Sequence, residues 1–411
     1  MYVTRLHVPS SEFDWRYYDE LRQVLEFDLN VNGVSSVAPL SDSLEESLHW
    51  PDVRTHFDVS CWKKEQIPYV LSIQVFQNRF QLIVFDIAKE SSKKYSDFAL
   101  SGKIEKDRLE IHRLADAIQK DLFGTTGIAS VKILYSKRYK VDDEWHSEIW
   151  VCDSDGANAR KTLSERGYCV SPGFFPLGED FFYVSFQEGQ SKIYRSSLHQ
   201  AVGELMIALR GSQVLPAITR KGDQMAFITD VAGRPDLFIQ NLDGRGKMVG
   251  KARQLFSLPR ATQASPTYSP DGKQIAFVSD KDGTPRVYVI EVLGPRDTKR
   301  PSPRLLTKMH RENTSPAWSP DGSKLAYSAK VDGVRQIWVY DFASQVENSV
   351  TIGPENKENP SWAPDSLHLV YNTESDDRCE LYRVHVGQKE SILISKGSDQ
   401  KRFAAWAYSS F

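Results

Sequence analysis

The chain has 411 residues, 40% hydrophobic and 26% charged, with a formal net charge of −2. That balance suits a soluble globular protein with room for two domains, and nothing global attracts nucleic acid or an anionic membrane. No apolar run approaches the ~18 residues of a membrane-spanning helix. Cys61, Cys152, Cys169 and Cys379 fall at no metal or redox spacing and read as single buried thiols.

The start, Met1 to Trp15, has neither the charged nor the apolar region of a secretory signal. Taken alone it reads as cytoplasmic, or as a chain without its leader. Asp14 caps an expected helix through about Phe27, with Trp15, Tyr18, Val24 and Leu25 on its apolar stripe. A short strand is expected over Ser36–Leu40 and a helix over Thr55–Lys64. Tyr69 to Val75 alternates as a strand, turns at Asn78-Arg79 and returns through Phe80–Ala88. A third strand is expected near Tyr95–Ile104. Asp107 and Glu110 form a capping box ahead of Ile111, Leu114, Ala115 and Ile118, and Gly124 ends that helix. Residues 1–125 thus read as a small α/β domain.

From 126 to 411 a repeat takes over. Ser265–Gly272 reads SPTYSPDG and Ser315–Gly322 reads SPAWSPDG. The anchor prolines Pro172, Pro216, Pro266, Pro316 and Pro360 are spaced 44, 50, 50 and 44, and a further 44 reaches Ala404. Large apolar residues follow two positions on: Phe174, Ile218, Tyr268, Trp318, Trp362 and Trp406. Two aromatic columns come next. The first is Tyr135, Tyr183, Phe227, Phe277, Tyr327, Tyr371; the second is Trp150, Tyr194, Phe238, Tyr288, Trp338, Tyr382. A fourth apolar patch holds Leu163, Leu205, Leu255, Leu305, Ile352 and Ile394. Four short strands per unit is the period of a β-propeller blade. In Ser-Pro-Asp-Gly the proline presets φ, the aspartate bonds the local backbone and the glycine takes the tight exit. The first unit lacks a first strand, and the chain ends on an orphan one, Phe403–Tyr408. The fold class expected is therefore mainly β with an α/β N-terminal domain, as a six-bladed propeller closed by its C-terminal strand.

This repeat, the helix ending in Leu122-Phe123-Gly124 ahead of Ile133-Leu134-Tyr135, and the bare last strand Ala404–Tyr408 together resemble the TolB family of the Tol-Pal envelope system. The similarity runs from about Tyr17 to the chain end. The resemblance implies a non-catalytic periplasmic protein that binds the Pal lipoprotein through one mouth of the propeller and serves envelope integrity and constriction at division. It also implies that an N-terminal segment engages TolA, although no clear counterpart of that segment precedes the first strand. A monomer with no cofactor and no membrane insertion is expected. The family's Pal-binding surface draws on loops that lead into each first strand. Here these supply Arg260, Thr262 and Gln263; His310, Arg311, Glu312, Asn313 and Thr314; Asn356, Lys357, Glu358 and Asn359; and Lys401, Arg402 and Phe403. Arg, Asn and Phe suit a partly wet protein interface.

Rival readings remain. Propellers of this type also gate peptidases, but those need a Gly-x-Ser-x-Gly elbow, and the chain has none. It also lacks HExxH and phosphate-loop motifs. His146, His199, His368 and His385 fall at unequal repeat positions. Asp271, Asp321 and Asp365 are explained by their turns, and acidic side chains inside a channel are the remaining place for a cation. A scaffold for another partner would use the basic insert Gly294–Pro303, with Arg296, Lys299, Arg300 and nearby Arg304 facing an acidic surface.

Overall fold

The computed structural model describes residues 1–8, 12–48, 58–165, 167–176, 178–187, 189–294, 301–375, 378–388 and 390–408. Arg296, Lys299 and Arg300 of the basic insert, and the last three residues, lie outside them. The chain divides into two compact units, Met1–Ser130 and Val131–Phe411. It is mainly β, with its helices in the first unit.

The first unit is one four-stranded sheet in the order Tyr2–Val3, Tyr69–Phe76, Arg79–Asp86, Ser91–Ala99. Tyr2–Val3 runs parallel to its neighbour, and the rest is antiparallel. Helices α1 (Trp15–Asn30) and α4 (Ile104–Phe123) cover one face; α2 (Asp42–Glu46) and α3 (Val59–Lys64) supply Leu44 and Trp62 to the other. The alternation of Tyr69–Phe76 feeds both cores, Leu71, Ile73 and Val75 one way and Val70 the other. Asp14 caps α1 by accepting from Arg16 N, and Gly124 ends α4 at φ 69°.

Four expectations change here. Trp15 is exposed, because the buried stripe of α1 is Tyr18, Leu21, Val24, Leu25 and Leu29. Ser36–Leu40 forms no strand; Ala38 N donates to Met1 O, and Tyr2–Val3 takes the sheet edge instead. The hairpin turn is Gln77-Asn78, both at positive φ as a type I′ turn requires. Asp107 lies inside α4 and accepts from Ser101 N at 2.9 Å, so it anchors the preceding loop rather than a capping box.

The second unit holds six four-stranded antiparallel sheets. Their first strands are Cys169–Phe174, Gln213–Ile218, Gln263–Tyr268, Asn313–Trp318, Asn356–Trp362 and Gln400–Trp406. The last of these pairs with Ile133–Val141, so the end of the chain heads the sheet that the start of the unit begins. The two aromatic columns meet in register in all six sheets: Tyr135 opposite Trp150, Tyr183 opposite Tyr194, Phe227 opposite Phe238, Phe277 opposite Tyr288, Tyr327 opposite Trp338 and Tyr371 opposite Tyr382. Such cross-strand pairs are the unit of sheet stabilisation. In the fourth column Ile352 is exposed, and Val350 takes the buried place through its bond to Ile337 O.

Each first strand carries a bulge that the sequence pattern did not announce. The residue before every anchor has positive φ: Ser171 51°, Leu215 53°, Ser265 46°, Ser315 51°, Asn359 53° and Phe403 54°. The ladder register slips there in all six sheets. A bulged residue leaves the ladder, so a proline without an N–H is tolerated beside it. Ala404 holds the same geometry without proline.

Candidate functional site

The six first strands share one cavity of about 300 Å³, lined from Ser171, Leu215, Ser265, Ser315, Asn359 and Phe403 at one level to Phe174, Ile218, Tyr268, Trp318, Trp362 and Trp406 at another. Each first strand thus has a loop end, where the chain arrives from the preceding sheet, and a turn end, which is a Ser-Pro-Asp-Gly segment after Gln263–Tyr268 and after Asn313–Trp318. Among the described lining residues there is no carboxylate, so the acidic channel position left open for a cation is not found there.

At the loop end the fifteen candidates separate by burial. Arg260, Thr262, Arg311 and Asn356 are exposed. Gln263, Asn313, Lys357 and Lys401 are buried. Three of these hold their own loops: Asn313 Nδ2 donates to His310 O at 2.8 Å and Thr307 Oγ1 at 3.1 Å, Lys357 Nζ to Glu355 O at 3.2 Å, and Lys401 Nζ to Gly397 O and Asp399 O at 2.9 Å each. Burial lowers the pKa of Lys357 and of Lys401. These four positions, with Gln213, are equivalent in the repeat, each two residues before the bulge; they are loop anchors.

The rest are half-buried. Glu312 pairs with Lys330 at 3.4 Å and Arg335 at 3.6 Å, Glu358 pairs with Arg335 at 3.1 Å, and Arg335 Nη1 donates to Thr314 Oγ1 at 3.2 Å. Arg402 pairs with Glu374, whose pKa burial raises. Asn359 bridges Ser315 Oγ and Asn372 Oδ1. The His310 ring meets Trp338 edge-on at 4.4 Å. Phe403 is the bulge residue of its strand. Arg335 was missed in the sequence, and Trp338 was read only as part of the second aromatic column, because both lie on a third strand rather than in a connecting loop. Also missed was an aromatic strip: Arg138 sits 3.9 Å over Trp145 and 5.0 Å over Tyr168, which meets Phe186 at 5.8 Å. In sequence its one trace is that Tyr135 and Trp150 stand fifteen apart, where the other aromatic pairs stand eleven apart.

At the turn end the aspartates behave as turn residues. Asp271 Oδ1 accepts from Ser269 Oγ at 2.6 Å and Lys273 N at 3.0 Å, and Asp321 Oδ1 accepts from Ser319 Oγ and Ser323 N. Asp365 also takes His368 Nδ1 at 2.5 Å, and His368 faces His385 at 4.9 Å. Two of the four histidines therefore face each other across the paired second and third strands of one sheet.

A sequence profile described as the TolB beta propeller domain matches residues 119–409. The chain belongs to the TolB β-propeller family. TolB homologues are similar to it over part of its length. The "Protein TolB homolog" of Protochlamydia amoebophila is 40% identical over 265 residues, 62% of this chain and 56% of that protein. That of Chlamydia caviae is 36% identical over 201 residues, 47% of each. The matched stretch spans about half the length of these relatives. Among solved structures, TolB from Acinetobacter baumannii superposes with a TM-score of 0.77 at 23% identity, covering 99% of this chain and 96% of that one. At that identity the likeness is one of fold.

Proposed function

We propose that this protein is a non-catalytic, periplasmic component of the Tol-Pal system, and that it binds the Pal lipoprotein at the loop end of a six-bladed ring closed by its C-terminal strand. The TolB profile match across residues 119–409 carries this reading. Ring closure is supported by adjacency: each first strand lies beside the next, and Gln400–Trp406 lies beside both Asn356–Trp362 and Cys169–Phe174. The exposed Arg260, Thr262, Arg311 and Asn356 are the contact residues, set on loops that the buried anchors hold in shape. The aromatic strip at Arg138, Trp145, Tyr168 and Phe186 extends the same surface with the residue types that dominate binding energy.

The test is calorimetry with the soluble part of Pal from the same organism. The Arg260→Glu/Arg311→Glu variant is expected to bind at least about tenfold more weakly, ~1.4 kcal/mol, with unchanged thermal melting. Wild-type protein without measurable affinity for Pal sinks the assignment. Affinity unchanged by both reversals moves the contact away from these loops.

A further inference from the structure

The turn end of the cavity has a chemistry that the partner-binding reading does not use. Among its described lining residues a single side chain is charged, Arg220. Arg220 stands where the equivalent turns carry Pro176, Pro270, Pro320 and Pro364. Its Nη1 donates to Pro320 O at 2.7 Å, reaching from the sheet headed by Gln213–Ile218 to the one headed by Asn313–Trp318. No carboxylate among the described residues pairs with it. Arg220 is exposed, and its guanidinium has five donors in a planar fork, of which this carbonyl takes one.

A second unspent donor belongs to a residue that lines the same cavity. Trp406 is 5% exposed and its Nε1 has no partner. The other two lining indoles are satisfied, Trp362 by Ala317 O at 2.9 Å and Trp318 by Gly322 O at 3.4 Å. A buried donor without an acceptor is rare in a folded protein and calls for an explanation. Aromatic side chains are prominent among the other lining residues: Phe174, Tyr268, Trp318, Trp362 and Tyr408.

The geometry points to a small-molecule site in this channel for an aryl carboxylate, with the carboxylate accepting from Arg220 and the Trp406 indole and the ring lying among the aromatic side chains. A carboxylate matches the guanidinium fork, and a planar ring matches stacked aromatic walls. The 300 Å³ volume lies at the small end of the ~300–1,000 Å³ typical of ligand sites. The same chemistry reaches a protein as a free aromatic acid or as the C-terminus of a peptide ending in phenylalanine; the site fits the free acid, whose bulk the cavity holds without an attached chain.

Saturation-transfer NMR on the full chain, titrated in turn with benzoate, benzamide, benzylammonium and N-acetyl-Gly-Phe, tests it. Benzoate is expected to bind saturably, benzamide at least tenfold more weakly and benzylammonium not at all. Arg220→Gln is expected to lose at least tenfold in benzoate affinity. Trp406→Phe, which keeps the ring and removes the N–H, is expected to lose severalfold. Circular dichroism establishes that both variants fold; Arg220→Pro, the residue of the sister turns, serves as a second charge-free variant. Benzamide binding as tightly as benzoate, no saturable benzoate binding, or unaltered affinity in folded Arg220→Gln and Arg220→Pro each overturns the proposal. Tighter binding of N-acetyl-Gly-Phe than of benzoate overturns the free-acid assignment. None of these outcomes depends on whether Pal binds at the loop end.

Discussion

The two ends of the first strands are built on opposite principles. At the loop end, long polar side chains are turned inward: Asn313, Lys357 and Lys401 spend their donors on the carbonyls of the loops that deliver them. At the turn end, the short Ser-Pro-Asp-Gly segment satisfies itself, as when Ser269 Oγ and Lys273 N converge on Asp271. Its neighbours Arg220 and Trp406 are left with donors to spare. One end therefore presents the outer surface of braced loops, and the other an interior lined by a repeated turn whose proline is replaced at Arg220 and Tyr408. The lesson is that a charged residue in a connecting loop does not mark a contact. Burial divides anchors from candidates, and in this repeat it does so at one fixed position.

The strongest way to break this comparison is to remove the strand that both ends share. Deleting residues 400–411 takes away buried Trp406 and Ala404 and leaves Ile133–Val141 as an open edge. The apparent Tm is expected to fall by on the order of 10 °C or more, since large units lose about 2–4 °C per kcal/mol. An unchanged melting curve removes the argument for closure.

A smaller effect is expected from an anchor. Asn313→Ala leaves His310 O without its side-chain donor and Thr307 Oγ1 with only Val287 N, at a cost of ~1–3 kcal/mol. Arg311→Ala, two positions earlier and exposed, is expected to change stability by less than about 0.5 kcal/mol. Chemical denaturation of both separates anchor from surface; equal stabilities dissolve the distinction.

The bulge gives a third test. Ser265 at φ 46° precedes a proline. Ser265→Val is expected to cost about 1–3 kcal/mol, because a β-branched side chain resists the left-handed region, while Ser265→Gly is neutral or stabilising.

The smallest effect is a pH dependence. Burial, and then the neighbouring His368, lowers the pKa of His385. The folded state thus holds fewer protons than the unfolded one below the ordinary histidine pKa of about 6.5. This stability is fully present above that pH and is lost as pH falls from about 6.5 through the folded value. His385→Gln is expected to show a shallower loss of Tm on acidification, and an identical slope refutes the assignment.

Much of the fold was legible because the repeat signals are local. Glycine after Asp271 and Asp321, aromatics at fixed offsets, and Gly124 after a helical stripe each act within a few residues. Misread elements depended on distant partners. Ser36–Leu40 had a plausible strand composition, but the sheet edge went to Tyr2–Val3. Asp107 had capping spacing, but Ser101 N and Tyr17 Oη reach its carboxylate first. The candidate site was legible as a set of loops and illegible as a set of side chains.

By itself the sequence determined the four-strand period and the facing aromatic pairs, because turn chemistry fixes strand length and strand length fixes register. Only the tertiary structure decided the rest. It put six left-handed bulges at one level, drew Lys357 and Lys401 inside, and carried Arg220 across to a carbonyl in another repeat. The physical reason is distance along the chain. A turn is settled by neighbours in sequence, whereas burial and an unspent donor are settled by which strands come to lie side by side.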